Sequence, residues 1–274
     1  MSSGQRITKV IADILAVWLI VCIFSGIGTA LLAVIGFSEI KQSVDNVSGE
    51  MEAIGISQDI EKVDIDIASA SVYIKSGETF ACQTNDKGFS FSEKKGKLKI
   101  EEKNLKLFSG FGEAIIVITV PEYVILESFK IDSGTGLLSM ENISCKKLTV
   151  DSGIGETSIE HVTVTEAADI EGGVGDLQIK KGTINNLELS VGMGKTELNT
   201  HLTGVSEIQG GVGEISMHNS MSAENYTLSV EKGIGEVLVA GEKLKSDKTV
   251  GTGSNIIKVE GGLGNMNITF EDAA

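Results

Sequence analysis

The sequence predicts an all-β chain: a β-helix-like solenoid of about 20-residue, glycine-punctuated repeats, preceded by one N-terminal transmembrane helix. Three observations predict it. Gly-x-Gly recurs seven times at near-constant spacing, apolar and polar residues alternate around each copy, and one uncharged apolar run precedes them all. The expected organisation is a cytoplasmic N-terminus over 1–13, a transmembrane helix over 14–37, a juxtamembrane helix or linker over 38–60, and an extracellular β-solenoid over 61–274.

The membrane segment comes first in the chain. From Ile14 to Phe37 there are 24 residues without a charge. A helix rising 1.5 Å per residue needs about 20 such residues to cross the hydrocarbon core. Arg6 and Lys9 precede the run, whereas Lys41 follows among Glu39, Asp45, Glu50 and Glu52. The bias of basic residues toward the cytoplasm then keeps the N-terminus inside and places everything after Phe37 outside. A cleaved signal peptide competes with this reading, but its apolar region is shorter and ends in an A-x-A-like site, which Ala30-Leu31-Leu32-Ala33 does not supply.

Next, Phe37, Ile40, Val44, Val47, Met51 and Ile54 recur at steps of three and four. That spacing predicts a short amphipathic helix covering the open end of the β domain, since solenoid ends need covering. Gly49 interrupts the seam before three heptads are complete, which weakens the rival reading of a dimerising coiled coil.

The repeats decide the fold. The copies are Gly134-Thr135-Gly136, Gly153-Ile154-Gly155, Gly173-Val174-Gly175, Gly192-Met193-Gly194, Gly211-Val212-Gly213, Gly233-Ile234-Gly235 and Gly262-Leu263-Gly264. Their first glycines are separated by 19, 20, 19, 19, 22 and 29 residues, and a weak copy, Gly251-Thr252-Gly253, falls in the longest gap. Leu148, Val150, Ser152 and Ile154 alternate with polar residues, as do Leu187, Leu189, Val191 and Met193. Period-two alternation means a strand with one face buried. After each Gly-x-Gly the phase slips by one, giving Thr157 and Ile159, Leu177 and Ile179, Thr196 and Leu198. Glycine at a corner does this, because it can re-aim the following strand. Such a unit cannot bury its apolar face alone, so neighbours stack. Ten or so rungs at strand spacing would make a rod about 50 Å long; a twisted β-sandwich is the second choice. Alternating residues from Val63 to Val120 read as less regular first rungs, and Lys94, Lys95, Lys97, Lys99, Lys103 and Lys106, mixed with glutamates, read as solvated strand faces.

Composition excludes several functions. The net charge of −15 argues against nucleic acid. Gly192-Met193-Gly194-Lys195-Thr196 resembles the end of a phosphate-binding loop, but Leu189 stands where that loop needs its first glycine, so no nucleotide is expected. Glu156, Asp176, Glu214 and Glu236 directly follow their Gly-x-Gly units and could form a column of carboxylates, which makes calcium conceivable; Lys195 interrupts that column. His161, His201 and His218 lack metal-ligand spacing, and no Gly-x-Ser-x-Gly elbow marks a nucleophile. No catalytic, cofactor-binding or metal residue is assigned, and no cofactor is expected. Cys82 and Cys145 are compatible with either a disulfide or two buried thiols.

One resemblance accompanies these readings. Val63-Asp64-Ile65, Val72-Tyr73-Ile74, Leu98-Lys99-Ile100, Val117-Ile118-Thr119-Val120-Pro121 and the step Phe129-Lys130-Ile131-Asp132-Ser133-Gly134-Thr135-Gly136 resemble the putative-adhesin β-strand repeat family, a domain of unknown function. The resemblance implies a β-helical fold on the surface of Gram-positive or related bacteria, membrane-anchored, with no catalytic residues to transfer. The expected function is therefore a non-enzymatic cell-envelope protein whose solenoid offers an interaction surface to a protein, peptide or glycan, in adhesion or envelope-stress sensing. The alternative is a polysaccharide-processing enzyme on a β-helix scaffold. It is disfavoured because the only arginine, Arg6, and the only tryptophan, Trp18, both precede the solenoid.

Overall fold

The computed structural model describes residues 51–102 and 114–271. The chain divides into the units Met1–Gly49 and Glu50–Ala274, and all described residues belong to the second. The expected N-terminus 1–13, transmembrane helix 14–37 and seam residues Phe37 to Val47 thus lie outside the described residues. Among the described residues no helix is long and apolar enough to cross a membrane.

Twenty-two strands, numbered along the chain, build the second unit. One wall is a run of parallel neighbours: β6 (Lys97–Glu102), β2 (Lys62–Ser69), β8 (Ile125–Thr135), β10 (Ser144–Ile154), the C-terminal half of β11 (Thr157–Glu171), β13 (Leu187–Ser190), β15 (Val205–Gln209), β21 (Asn255–Glu260) and β17 (Tyr226–Glu231). The second wall is parallel too: β7 (Ile115–Pro121), β3 (Ser71–Gly77), β9 (Leu138–Glu141), the N-terminal part of β11, β12 (Leu177–Asn185), β14 (Met193–Thr203), β16 (Val212–Ser222), β22 (Met266–Glu271) and β18 (Val237–Val239). The chain passes from first wall to second through the glycine corner, which is the predicted solenoid.

Alternation places the core. Val63, Ile65 and Ile67 of β2, Phe129 and Ile131 of β8, and Leu148 and Val150 of β10 are buried, with polar residues between them facing out. The phase slip is present: Thr157 and Ile159, Leu177 and Ile179, and Thr196 and Leu198 are all buried on the second wall. A polar residue enters this core with its bond made. Buried Thr200 donates its hydroxyl to the Lys181 carbonyl oxygen at 2.8 Å.

Three expectations need correction. The alternation stops short of the corner, where Ser152 is half-buried and Ile154 is 48% exposed, because the backbone turns there and carries the middle residue outside the bend. The seam is not helical where it is described: Ile54 lies in β1 (Glu52–Ile54), which pairs antiparallel with β4 (Ala81–Thr84). Short antiparallel strands cover the ends instead. At one end β4 flanks β7 and β5 (Phe89–Lys94) flanks β6; at the other β20 (Lys248–Val250) flanks β17 and β19 (Glu242–Lys243) flanks β18. Such edges block further strand addition. The weak copy Gly251-Thr252-Gly253 makes no rung of its own; Gly251 lies against the backbone of Tyr226 and Thr227, Gly253 against that of Asn225 and Tyr226, and the long gap holds the covering strands.

Rungs also depart from chain order. The rung β2–β3 lies between β6–β7 and β8–β9. At the other end the last strands, β21–β22, lie between β15–β16 and β17–β18.

Candidate functional site

The corner where the two walls meet is built almost wholly from backbone. A Cβ on Gly173 would sit 1.7 Å from the Gly153 carbonyl oxygen and 2.1 Å from that of Ser152. Gly155 combines a φ of +144° with a carbonyl 1.8 Å from its notional Cβ, so there both the backbone angle and the stacking exclude a side chain. Between these two glycine columns stands a third column. Thr135, Ile154, Val174, Met193, Val212, Leu263 and Ile234 are register neighbours in that order. Six of them are apolar. Ile154 and Leu263 are each 48% exposed and Ile234 is 74% exposed. At strand spacing the six span about 24 Å. An ordered row of apolar side chains, exposed at Ile154, Leu263 and Ile234 and half-buried at Val174, Met193 and Val212, each flanked by bare glycine, is unlike the scattered surface hydrophobics of ordinary proteins.

Acid flanks parts of this stripe on both sides, with Ser190 and Gln209 interrupting the row before the corner. Two residues after each middle residue come Glu156, Asp176, Lys195, Glu214, Asn265 and Glu236, in spatial order. The expected carboxylate column therefore exists but is broken twice, by Lys195 and by Asn265. Of its members only Glu156 and Asp176 are direct neighbours, and burial followed by the Asp176 charge raises the Glu156 carboxyl above its usual range. The Lys195 amide donates to the Asp176 Oδ1 at 3.2 Å, which uses one of those oxygens locally.

A denser ladder lies three residues before the stripe. Glu101, Asp66, Asp132, Asp151 and Glu171 are consecutive register partners across five parallel strands. Asp132 is raised by burial, then by Asp151 and Asp66; Glu171 is raised by burial, then by Asp151, Asp169 and Glu188. Like charges directly opposite on a sheet repel. The sequence carried the signal: Asp132, Asp151, Glu171, Glu231 and Glu260 all stand three residues before the middle residue of a Gly-x-Gly copy.

The other singled-out residues are dispersed. Met193–Thr203 is one continuous strand, so the phosphate-loop resemblance has no helix to serve. His161 lies within β11 at φ +53°, 3.7 Å from Glu160; His218 meets Thr269 at 3.0 Å. Among the described residues no group of three or more His, Cys, Asp or Glu side chains is placed to hold a metal ion. The lysines of β5–β6 are solvated strand positions: Lys97 bonds Asp64 at 2.5 Å and Lys99 bonds Glu101 at 2.6 Å. Cys82 and Cys145 are separate, buried thiols, and burial pushes each up to about 12.

A family model described as Toastrack DUF4097 matches residues 60–254. A solved structure of a putative adhesin from Bacteroides fragilis is similar at 17% identity and a TM-score of 0.52, covering 80% of this chain and 95% of that one. A putative cell adhesion protein from Clostridium sporogenes aligns at 18% identity and a TM-score of 0.40, covering 82% and 100%. A putative adhesin from Parabacteroides distasonis aligns at 14% identity and a TM-score of 0.44, covering 81% and 98%. The likeness to the Bacteroides protein is one of fold. No curated protein matches the chain.

Proposed function

The chain belongs to the Toastrack DUF4097 family, and from that starting point we propose that it is a non-enzymatic protein of the cell envelope, anchored through residues 14–37, whose solenoid is an interaction surface serving adhesion or envelope-stress sensing. The N-terminus 1–13 lies in the cytoplasm and the solenoid outside. Protease added to intact cells tests this: it should digest residues after Phe37, and full protection of the solenoid would refute the placement.

One observation carries the binding role, the apolar stripe from Ile154 to Ile234, which has acid on both sides at Ile154, Val174 and Ile234. Its charge selects the partner. A second copy of this chain would bring carboxylates against carboxylates, and a neutral glycan would leave them unmatched. A polypeptide segment with an aliphatic row flanked by lysine or arginine satisfies both features. An amphipathic helix fits the spacing, because its turns repeat every 5.4 Å against about 4.8 Å between rungs. The stripe's 24 Å corresponds to about 16 helical residues.

The test uses a synthetic 18-residue peptide with leucines at helical spacing and lysines elsewhere, titrated against the full chain. Binding should weaken at least tenfold in the triple variant Ile154→Lys, Leu263→Lys, Ile234→Lys. A glutamate-for-lysine peptide should not bind. Because these side chains are exposed, the thermal midpoint should move by under about 3 °C. Equal binding of both peptides, or unchanged binding by the folded triple variant, overturns the reading.

A further inference from the structure

The β17–β18 end of the solenoid holds a feature independent of the stripe. After Val239 the chain does not begin another rung. It turns at Ala240 and Gly241, both at positive φ, runs back as β19, crosses the end through Leu244–Asp247, and returns as β20 against β17. Between this cover and the last rung is a cavity of about 520 Å³, within the range of about 300–1,000 Å³ typical of small-molecule sites. Its wall includes Val239 from the last rung, Phe270 from β22 and Val250 from the cover, with the buried Leu228, Val230 and Leu244 behind them. The Phe270 ring leans on Tyr226 with centroids 5.4 Å apart, and the Tyr226 hydroxyl is already donated to the Leu202 carbonyl oxygen at 3.1 Å. The wall therefore offers aliphatic and aromatic surface with little free hydrogen-bonding capacity.

The rim is different. Lys243, Lys245 and Lys248 all border the cavity, in a chain whose net charge is −15. Lys243 is paired with Glu236, but Lys245 and Lys248 are exposed and make no ion pair with described residues. Glu242 is the one acid among the lining residues. The cover packs on Leu228 and Val230 of the last rung and still leaves an apolar opening beneath a cationic lip.

We propose that this cavity binds a single-chain amphiphile with a carboxylate head, a medium-chain fatty acid, with its tail against Phe270, Val250 and Val239 and its carboxylate at Lys245 and Lys248. Apolar burial supplies the affinity, and the two lysines set the sign of the head group.

Decanoate is the probe, with decyltrimethylammonium as the same tail bearing the opposite charge. Both are titrated calorimetrically into the full chain held in an amphipathic polymer, with the polymer alone as blank. Decanoate should bind saturably, one per chain, and at least tenfold more tightly than the cation. Val250→Trp fills the space and should abolish binding. Lys245→Glu with Lys248→Glu, at exposed positions that leave folding intact, should weaken decanoate at least tenfold and remove the preference over the cation. Non-saturable uptake matching the blank overturns the proposal, as does decanoate affinity unchanged in the double lysine variant. If Val250→Trp fails to fold, the lysine pair alone decides.

Discussion

The glycine corner makes the sharpest claim, and Gly173→Ala tests it in the middle of the stack. The added Cβ would lie 1.7 Å from the Gly153 carbonyl oxygen and 2.1 Å from that of Ser152. Both are backbone atoms of the adjacent rung, so no rotamer change relieves the clash. Rungs must separate, and the first bonds to suffer are Val174 N–H to the Gly153 carbonyl at 2.7 Å and Met193 N–H to the Gly173 carbonyl at 2.8 Å. Each is worth about 1 kcal/mol net, and overpacking adds about 1–3 kcal/mol. A loss of about 4 kcal/mol follows, or about 8–16 °C at 2–4 °C per kcal/mol for a domain of this size. Gly55→Ala is the control: nothing lies within 4 Å of its notional Cβ, so the midpoint should hold or rise slightly. The assay is thermal unfolding followed by circular dichroism near 215 nm. A Gly173→Ala midpoint within about 2 °C of the parent would mean that the rungs are not stacked backbone to backbone.

Three further outcomes are expected. Asp132 is raised in the folded state, so its ionised form destabilises the fold at neutral pH and that penalty is relieved as pH falls through the folded value; Asp132→Asn should raise the midpoint by about 2 °C at pH 7 and by nothing once the parent carboxyl is protonated. Glu127 and Glu160, lowered by hydrogen bonds from Lys146 and Lys181, act with the opposite sign, and their contribution is lost as pH falls through their folded values. In a Cys22→Ser background, Cys82 and Cys145 should resist a disulfide-exchange reagent until denaturant is added, since burial holds both thiols protonated; fast labelling of the native protein would contradict their placement. Deleting residues 255–274 should expose residues 226–239 to protease as well, because β17 and β18 find their parallel neighbours only in β21 and β22; continued protection of 226–239 would contradict the rung order.

The solenoid was legible because period-two alternation and glycine spacing are both local signals. Val150 buried, Asp151 exposed and the slip to Thr157 can be written down from the chain alone. Rung order was not legible, since Ile131 of β8 pairs equally well by chemistry with Ile65 or with Val150, and only the closed stack shows that it meets both. The exposure of the corner residues is hidden in the sequence for a related reason. Ile154 continues the hydrophobic alternation of its strand, and hydropathy does not report that the backbone has turned by that point. The acidic ladder was within reach, as its offset from the corner is constant; what it needed was alignment of the copies on their middle residues. The end cavity had no sequence signal, because Leu244, Val250 and Phe270 come from segments brought together only by the reversal after Val239.

The interior placement of β2 and of β21–β22 has a mechanical corollary. Chain ends are ordinarily where a fold frays, yet here only the three-residue β1 can lift away cheaply. Beyond it, a pull transmitted from the N-terminal side meets β2, which is laddered to β6 on one flank and β8 on the other. Unzipping one edge is then impossible; both ladders must shear together along their length. A pull applied at β1 would therefore load two ladders at once, rather than peeling a single edge.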